Sequence, residues 1–295
     1  MSQYQRLLLI INPALRHSTV INHAAALAMA SGATLHIAAL VKSLDVLSLL
    51  EEGDREQARA QYLQDHRDWL EGQAIVMRGN GLEVTSGVAW SEDMQQEILD
   101  FVSEMQPDLL IKQVQHESLL RRAFFTPLDW GLLRHCPVPV YLVGGAGHAL
   151  PRKIVAAVDA ASTEAENDRL NDRIIEQATA LAIQCNAELH LLYAYDVSQE
   201  YLEELGDGLR VSALTKALRK ELEASYIAWA NRYGVPAECR HFVVGHPVAA
   251  LSEFAEEQQV DVIVMGRVQY HGLDKLLGST TEHILYQVPC SVLAV

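Results

Sequence analysis

The chain has 295 residues, of which 49% are hydrophobic and 6% aromatic, and its formal net charge is −15 at pH 7. This length allows two domains of ordinary size, and the negative charge argues against a general nucleic-acid-binding protein. No segment reads as a membrane-spanning helix or a secretory signal peptide, so we expect a cytoplasmic protein with no membrane partner.

The sequence contains two copies of one long pattern. Residues 26–36 return as 180–190 with the same internal spacing, and residues 107–111 return as 260–264. The period is about half the chain, so each copy should be a whole domain with its own core. We predict domains at residues 1–146 and 151–295, joined by a linker rich in glycine.

Each copy is predicted to alternate strands and helices in the same order. The first copy has strands at 6–11, 35–41, 83–88, 109–112 and 138–143, with helices at about 18–31, 54–79 and 92–105. The second has strands at 153–158, 189–195, 238–244, 262–265 and 291–295, with helices at about 165–185, 211–233 and 247–258. Gly32 and Asn186 stand where a left-handed residue ends a helix. The order predicts an α/β protein of two tandem doubly wound Rossmann-like domains, each with a five-stranded, mainly parallel sheet.

Ligands of doubly wound domains bind at the carboxyl ends of the strands, near the point where the strand order reverses. In the second copy Asp159 follows the first strand, where it can accept hydrogen bonds from a nucleobase or ribose, or cap the next helix. After the fourth strand come the other candidate ligand contacts, which are Gly266, Arg267, Gly272, Gly278, Ser279 and Thr280. Glycines allow close backbone approach, and a Gly-Ser-Thr helix start offers N–H groups and hydroxyls to a phosphate. The other interpretation is a capping box between Ser279 and Glu282.

The same places in the first copy carry different chemistry. Asn12 and Pro13 follow the first strand, while Thr126 and Pro127 stand in the places of Gly278 and Ser279. Proline has no N–H group to donate. The first copy is therefore predicted to lack a phosphate-binding loop of this type.

Other chemistry has weaker support in the sequence. His241, His246 and His271 are predicted near the carboxyl edge of the second sheet, where solvated loop histidines are favoured over a metal site. The four cysteines form no CxxC pair, which favours reduced structural thiols. With no Walker loop and no nucleophile elbow, we predict no enzyme. A slow ATPase stays open, although no general base can be named for it.

These residues resemble the universal stress protein family in a tandem form, and within it the E type. The likeness rests on the FTPxDWxLLRxCP pattern at 125–137 and on residues 264–280. It implies an adenine nucleotide alpha hydrolase-like fold, in which a Gly-x2-Gly-x9-Gly-Ser/Thr loop wraps ATP. Asp159, Gly266, Gly278 and Ser279 match that pattern. Two departures stand out, because Gln269 replaces the second glycine and the loop is one residue shorter than the family pattern. Gly272 can partly compensate for them.

The resemblance implies a non-catalytic stress-response protein that binds ATP or AMP, with Mg²⁺, in its second domain. Asp159 would face the base, and Ser279 and Thr280 would contact phosphate. It also implies that strands 138–143 and 291–295 pair antiparallel, which makes one chain a pseudo-dimer and leaves a further homodimer open. Two alternatives remain, which are an interaction scaffold that binds no nucleotide and a binder of a more apolar small molecule.

Overall fold

The computed structural model of the chain describes residues 4–13, 19–42, 49, 51–114, 128–144, 147–160, 165–195, 211–267, 284 and 287–295. These residues divide into two compact units, one within residues 3–143 and the other within residues 151–295. Within each unit, five neighbouring strands run parallel and helices pack against them.

The first unit follows the predicted alternation of strands and helices. Its elements are β1 (Arg6–Ile11), α1 (Val20–Ser31), β2 (Thr34–Lys42), α2 (Glu52–Gly79), β3 (Val84–Ser91), α3 (Met94–Met105), β4 (Leu109–Gln113), α4 (Leu128–His135) and β5 (Val140–Val143). The strands lie in the order β3-β2-β1-β4-β5 and every neighbouring pair among them is parallel. β1 after Arg6 and β4 over residues 109–111 are continuously apolar and buried, as is typical of strands covered by helices on both faces.

The second unit repeats this topology. Its elements are β6 (Lys153–Ala157), α5 (Ala165–Cys185), β7 (Glu188–Tyr195), α6 (Val211–Ala230), β8 (Arg240–Val244), α7 (Pro247–Glu257), β9 (Val262–Met265) and β10 (Ser291–Ala294). The strand order is β10-β9-β6-β7-β8, again with parallel neighbours. The predicted fold class of two tandem α/β domains with mainly parallel sheets is confirmed.

The carboxyl ends of α1 and α5 have the same structure, which accounts for part of the sequence repeat. Gly32 has φ 66° and Asn186 has φ 51°, so both adopt the predicted left-handed conformation. The next residue in each unit donates its N–H back into the last turn, from Ala33 to the Ala28 carbonyl at 3.0 Å and from Ala187 to the Ala182 carbonyl at 2.9 Å. α1 and α5 therefore end in the same hydrogen-bonded motif.

Several predicted boundaries differ from the structure by a few residues. The strand predicted at 238–244 begins at Arg240, because Ala237–Cys239 form a 3-10 turn. The helix predicted to reach residue 233 ends at Ala230 and continues as the 3-10 turn Asn231–Tyr233. α3 begins at Met94 because the Asp93 carboxylate caps it, accepting hydrogen bonds from the N–H groups of Gln95 and Gln96.

One repeated aspartate joins the central strands at the amino edge of each sheet. Asp108 accepts hydrogen bonds from the N–H groups of Gln5 and Arg6 at 3.0 and 2.9 Å. Asp261 accepts from those of Arg152 and Lys153 at 2.8 and 3.1 Å. These contacts leave the opposite edge, where the carboxyl ends of the strands lie, as the place for a ligand.

Candidate functional site

The candidate site of the second unit lies where the strand order reverses, between β6 and β9. Beyond β6, the Val158 N–H donates a hydrogen bond to the Leu192 carbonyl of β7 at 3.0 Å. Asp159 is the next residue and is exposed. Gly266 and Arg267 directly follow β9, at the same edge of the sheet. The structure thus brings three of the predicted site residues to the carboxyl ends of adjacent strands.

The backbone of Asp159 is held by a side chain that the sequence analysis did not single out. The Asp159 N–H donates to Oδ1 of Asn171 at 3.1 Å, and Nδ2 of Asn171 donates to the Asp159 carbonyl at 2.7 Å. Asn171 lies in the second turn of α5 and is 1% exposed. The two bonds use both the donor and the acceptor of the amide, as a buried polar side chain requires.

Gly266 has a packing reason to be glycine. A Cβ atom placed there would lie 2.6 Å from Cδ2 of Leu170, also in the second turn of α5. The missing side chain lets α5 approach the end of β9 closely. The Arg267 N–H donates to the Val295 carbonyl at 2.9 Å, which fixes the first residues beyond β9 against the chain beyond β10.

The remaining predicted site residues lie outside the described part of the chain. They are Gly272, Gly278, Ser279 and Thr280. Their roles in phosphate binding, and the effect of Gln269 in the same segment, stay predictions.

Tyr193 on β7 lies within electrostatic reach of Asp159. Burial raises the pKa of the Tyr193 phenol, and the negative charge of Asp159 raises it further. Tyr193 therefore stays a neutral phenol at physiological pH. Its side chain is 4% exposed and packs against the rings of Tyr195, Tyr226 and Phe242.

The corresponding edge of the first unit has a different composition. Asn12 takes the place of Asp159, and Gln113 takes the place of Gly266. Nζ of Lys112 lies 2.7 Å from Oδ1 of Asp129, and both side chains are buried. A charged pair thus lies at the end of β4, where the second unit has the apolar Met265 and then a glycine.

The predicted position of His241 is wrong. It lies near the amino end of β8, away from the carboxyl edge, and its Nε2 is 2.9 Å from Nδ1 of His190 on β7. His246 precedes α7, as its position before Pro247 suggests, and His271 is outside the described residues. Within the ranges that the structure describes, no group of three or more His, Cys, Asp or Glu side chains is placed to hold a metal ion.

The cysteines have the character of structural thiols. All four lie in described parts of the chain and are free, and three of them are buried. Burial raises the pKa of Cys185 and of Cys290 to about 12, so neither forms a thiolate at neutral pH.

Among the helices that the structure describes, none combines the length and apolarity needed to cross a bilayer.

A sequence signal for Asn171 exists in the pattern of α5. The buried residues of this helix include a stripe with a spacing of three or four positions, at Ile174, Ala178, Leu181 and Cys185, with Ile175, Ala180 and Ala182 beside it. Asn171 extends that apolar stripe by one turn towards the amino end. A polar residue on a buried stripe needs a hydrogen-bond partner, so its position alone indicates a bond to the neighbouring strand.

Known proteins resemble the chain along its whole length. A model of the universal stress protein family matches residues 3–144 and 151–295. Universal stress protein E of Escherichia coli strain K12 is 26% identical over 299 residues, covering 100% of this chain and 95% of that protein. A universal stress protein E homolog of Haemophilus influenzae is 26% identical over 255 residues, or 86% of this chain and 82% of its own. The crystal structure of a functionally unknown protein from Pseudomonas aeruginosa PAO1 covers 99% of this chain and 92% of that chain, with 25% identity and a TM-score of 0.72. The predicted likeness to the E type is confirmed.

Proposed function

The chain belongs to the universal stress protein family in a tandem form, and we propose that it binds an adenine nucleotide, ATP or AMP, in its second unit. Asp159 would accept hydrogen bonds from the base, and Gly266 would allow close backbone approach. Phosphate would be bound by the charge of Arg267 and by the segment that contains Gly272, Gly278, Ser279 and Thr280. Mg²⁺ would arrive with the phosphates, which is how it usually binds nucleotide sites. We assign no catalytic role to any residue, and we expect the protein to act in the cytoplasm.

The observation that carries this proposal is the difference between the two units at the same edge of the same fold. The second unit presents an exposed carboxylate at Asp159 and a glycine at 266. The first unit has the uncharged Asn12, and the buried Lys112–Asp129 pair lies where the second loop begins. Nucleotide selectivity needs a fixed polar group for the base and close backbone approach for the phosphates. Only the second unit combines the two in its described residues.

Native mass spectrometry of the purified full-length chain tests this proposal. We expect part of the population to carry one adenine nucleotide, or to acquire one when ATP and Mg²⁺ are added. Asp159→Ala should lose the bound mass, whereas Asn12→Ala, the equivalent change in the first unit, should keep it. An unliganded spectrum for the wild-type chain at millimolar ATP would overturn the proposal.

A scaffold that binds no nucleotide is the second candidate. Met29 and Ile183 stand at equivalent positions of α1 and α5 and are 60% and 56% exposed. Contiguous exposed apolar patches mark surfaces that contact other proteins, and these two matched side chains are the residues at which such a surface would be tested. This candidate is favoured over the first if the wild-type chain takes up no nucleotide and replacing Met29 and Ile183 with Ser leaves its stability unchanged.

A further inference from the structure

The second turn of α5 touches both strand ends of the candidate site. Asn171 is bonded to Asp159 beyond β6, and Leu170 packs on Gly266 beyond β9. Two adjacent residues of one helix therefore set the positions of the proposed base-binding residue and of the first glycine. The rest of α5 packs along the sheet, with contacts to β6, β7 and β9.

The Asn171 contact directly follows a bond of the chain to the neighbouring strand. The Val158 N–H donates to the Leu192 carbonyl of β7 at 3.0 Å. The Asp159 N–H and carbonyl are then bound by the Asn171 amide. Donor faces acceptor in both bonds, so the amide orientation is fixed by its partners.

Burial makes this contact rigid. Asn171 is 1% exposed, and losing either bond would leave a polar group without a partner in a nearly dry environment. Asp159, in contrast, is exposed. The backbone of Asp159 is thus held from the protein interior while the residue itself faces the site edge. A polar group held in this way loses less conformational freedom when it binds a ligand.

We propose that Asn171 is a positioning residue of the nucleotide site, which fixes the backbone of Asp159 so that its carboxylate selects the base. This inference rests on the proposed function, because the ligand is the adenine nucleotide proposed above. A carboxylate at a fixed position accepts a hydrogen bond from the exocyclic amine of adenine. At the same position guanine has a carbonyl oxygen, which is an acceptor and is repelled by the carboxylate. The preference for ATP over GTP therefore depends on how firmly Asp159 is held.

The test compares the dissociation constants of Mg-ATP and Mg-GTP in matched variants of the full chain. Asn171→Ala removes both bonds, and Asn171→Leu removes them while keeping the side-chain volume. Each variant should raise the dissociation constant of Mg-ATP about tenfold. A change of this size corresponds to the net contribution of roughly one buried hydrogen bond. The ratio between the GTP and ATP constants should fall towards one. The Leu variant keeps the test decisive if the Ala variant does not fold.

Asp172→Ala is the matched control in the same helical turn. It removes the hydrogen bond from the Tyr233 hydroxyl to the Asp172 carboxylate, 2.6 Å long, and touches neither strand end. This variant should lose some stability and keep the ATP preference of the wild type, which separates positioning from general loosening of α5.

The outcomes separate the two claims. If the wild-type chain prefers ATP and the Asn171 variants keep both its affinity and its preference, the positioning role is overturned and the proposed function stands. If the Asp172 variant loses the preference as well, the role of Asn171 is only structural. If the wild-type chain binds neither nucleotide, the proposed function falls, and the positioning role falls with it.

Discussion

Nζ of Lys112 lies 2.7 Å from Oδ1 of Asp129, and the two side chains are only 4% and 2% exposed. The same ammonium donates to the Gln113 carbonyl at 3.0 Å. The pair connects the end of β4 to the first turn of α4. Buried pairs of this kind fix geometry, but the cost of desolvating both charges offsets most of their attraction.

Breaking one side of this pair should be far worse than removing both charges. Lys112→Met introduces the residue that the second unit has at this position, and it should lower the free energy of unfolding by about 3–5 kcal/mol, because the buried Asp129 carboxylate loses the ammonium that faces it. Adding Asp129→Asn to that variant should recover most of the loss. Equilibrium urea unfolding at pH 7 measures both changes.

Arg78→Met is the control for this comparison. It breaks the ion pair with Glu71, in which the side chains are 40% and 47% exposed, and the hydrogen bond from its Nε to the Val84 carbonyl, so a smaller change is expected. A double variant as unstable as Lys112→Met alone would contradict this account of the pair.

The paired imidazoles of His190 and His241 should make the second unit sensitive to acid. Burial lowers the pKa of both, that of His241 to about 4, and the Lys153 charge lowers both further. Glu188 acts in the opposite direction on His190. Unfolded histidines titrate near pH 6.5, so the unfolded chain binds more protons below that pH. The stabilisation is therefore complete above pH 6.5 and is lost progressively as the pH falls towards 4.

The expected loss from His241 is about 1–2 kcal/mol, which allows for solvent screening of a half-buried pair. Unfolding free energies at pH 7.5, 6 and 5 measure it. His241→Leu should flatten the dependence on pH, whereas His246→Gln, outside the pair, should leave it unchanged. Curves of equal slope for the wild type and His241→Leu would show that the pair does not titrate as described.

The repeated aspartates at the amino edge should differ in the stability they confer. Asp261 is 7% exposed, whereas the Asp108 side chain is 31% exposed. Asp261→Ala should cost about 1–3 kcal/mol, because two partly buried N–H groups lose their acceptor. Asp108→Ala should cost less, since water can replace the carboxylate. Thermal unfolding of the two variants tests the order, and an equal or larger cost for Asp108→Ala would contradict it.

Gly266→Ala should destabilise the second unit through Leu170. The added methyl group collides with that side chain, and relieving such a contact typically costs about 1–3 kcal/mol. Leu170→Ala in the same chain should recover part of the loss, because it opens the space that the methyl group needs. A double-mutant cycle measures this coupling, and strictly additive effects would contradict the proposed contact.

The fold could be predicted from the sequence because its signals are local. Apolar runs mark the covered strands, and Gly32 and Asn186 mark the ends of α1 and α5. The repeated Asp108 and Asp261 could be seen in the sequence, but their role could not. It depends on β1 and β6 lying beside the strands that these residues precede, which is a tertiary relationship.

The candidate site could be located but not fully described from the sequence. The topology rule places Asp159 and Gly266 at one edge of the sheet. The bonds of Asn171, and the pairing of Lys112 with Asp129, join residues whose proximity follows only from how helices pack on the sheet. His241 lies opposite Leu192 in the β7–β8 register, and this register follows from strand pairing that the sequence does not give.

A calorimetric titration of Mg-ATP into the full-length chain tests the central claim most directly. We predict one saturable site per chain, which is lost in the Asp159→Ala, Gly278→Val double variant and retained in Asn12→Ala. The absence of saturable binding to the wild-type chain, or binding that the double variant retains, would contradict a nucleotide site in the second unit.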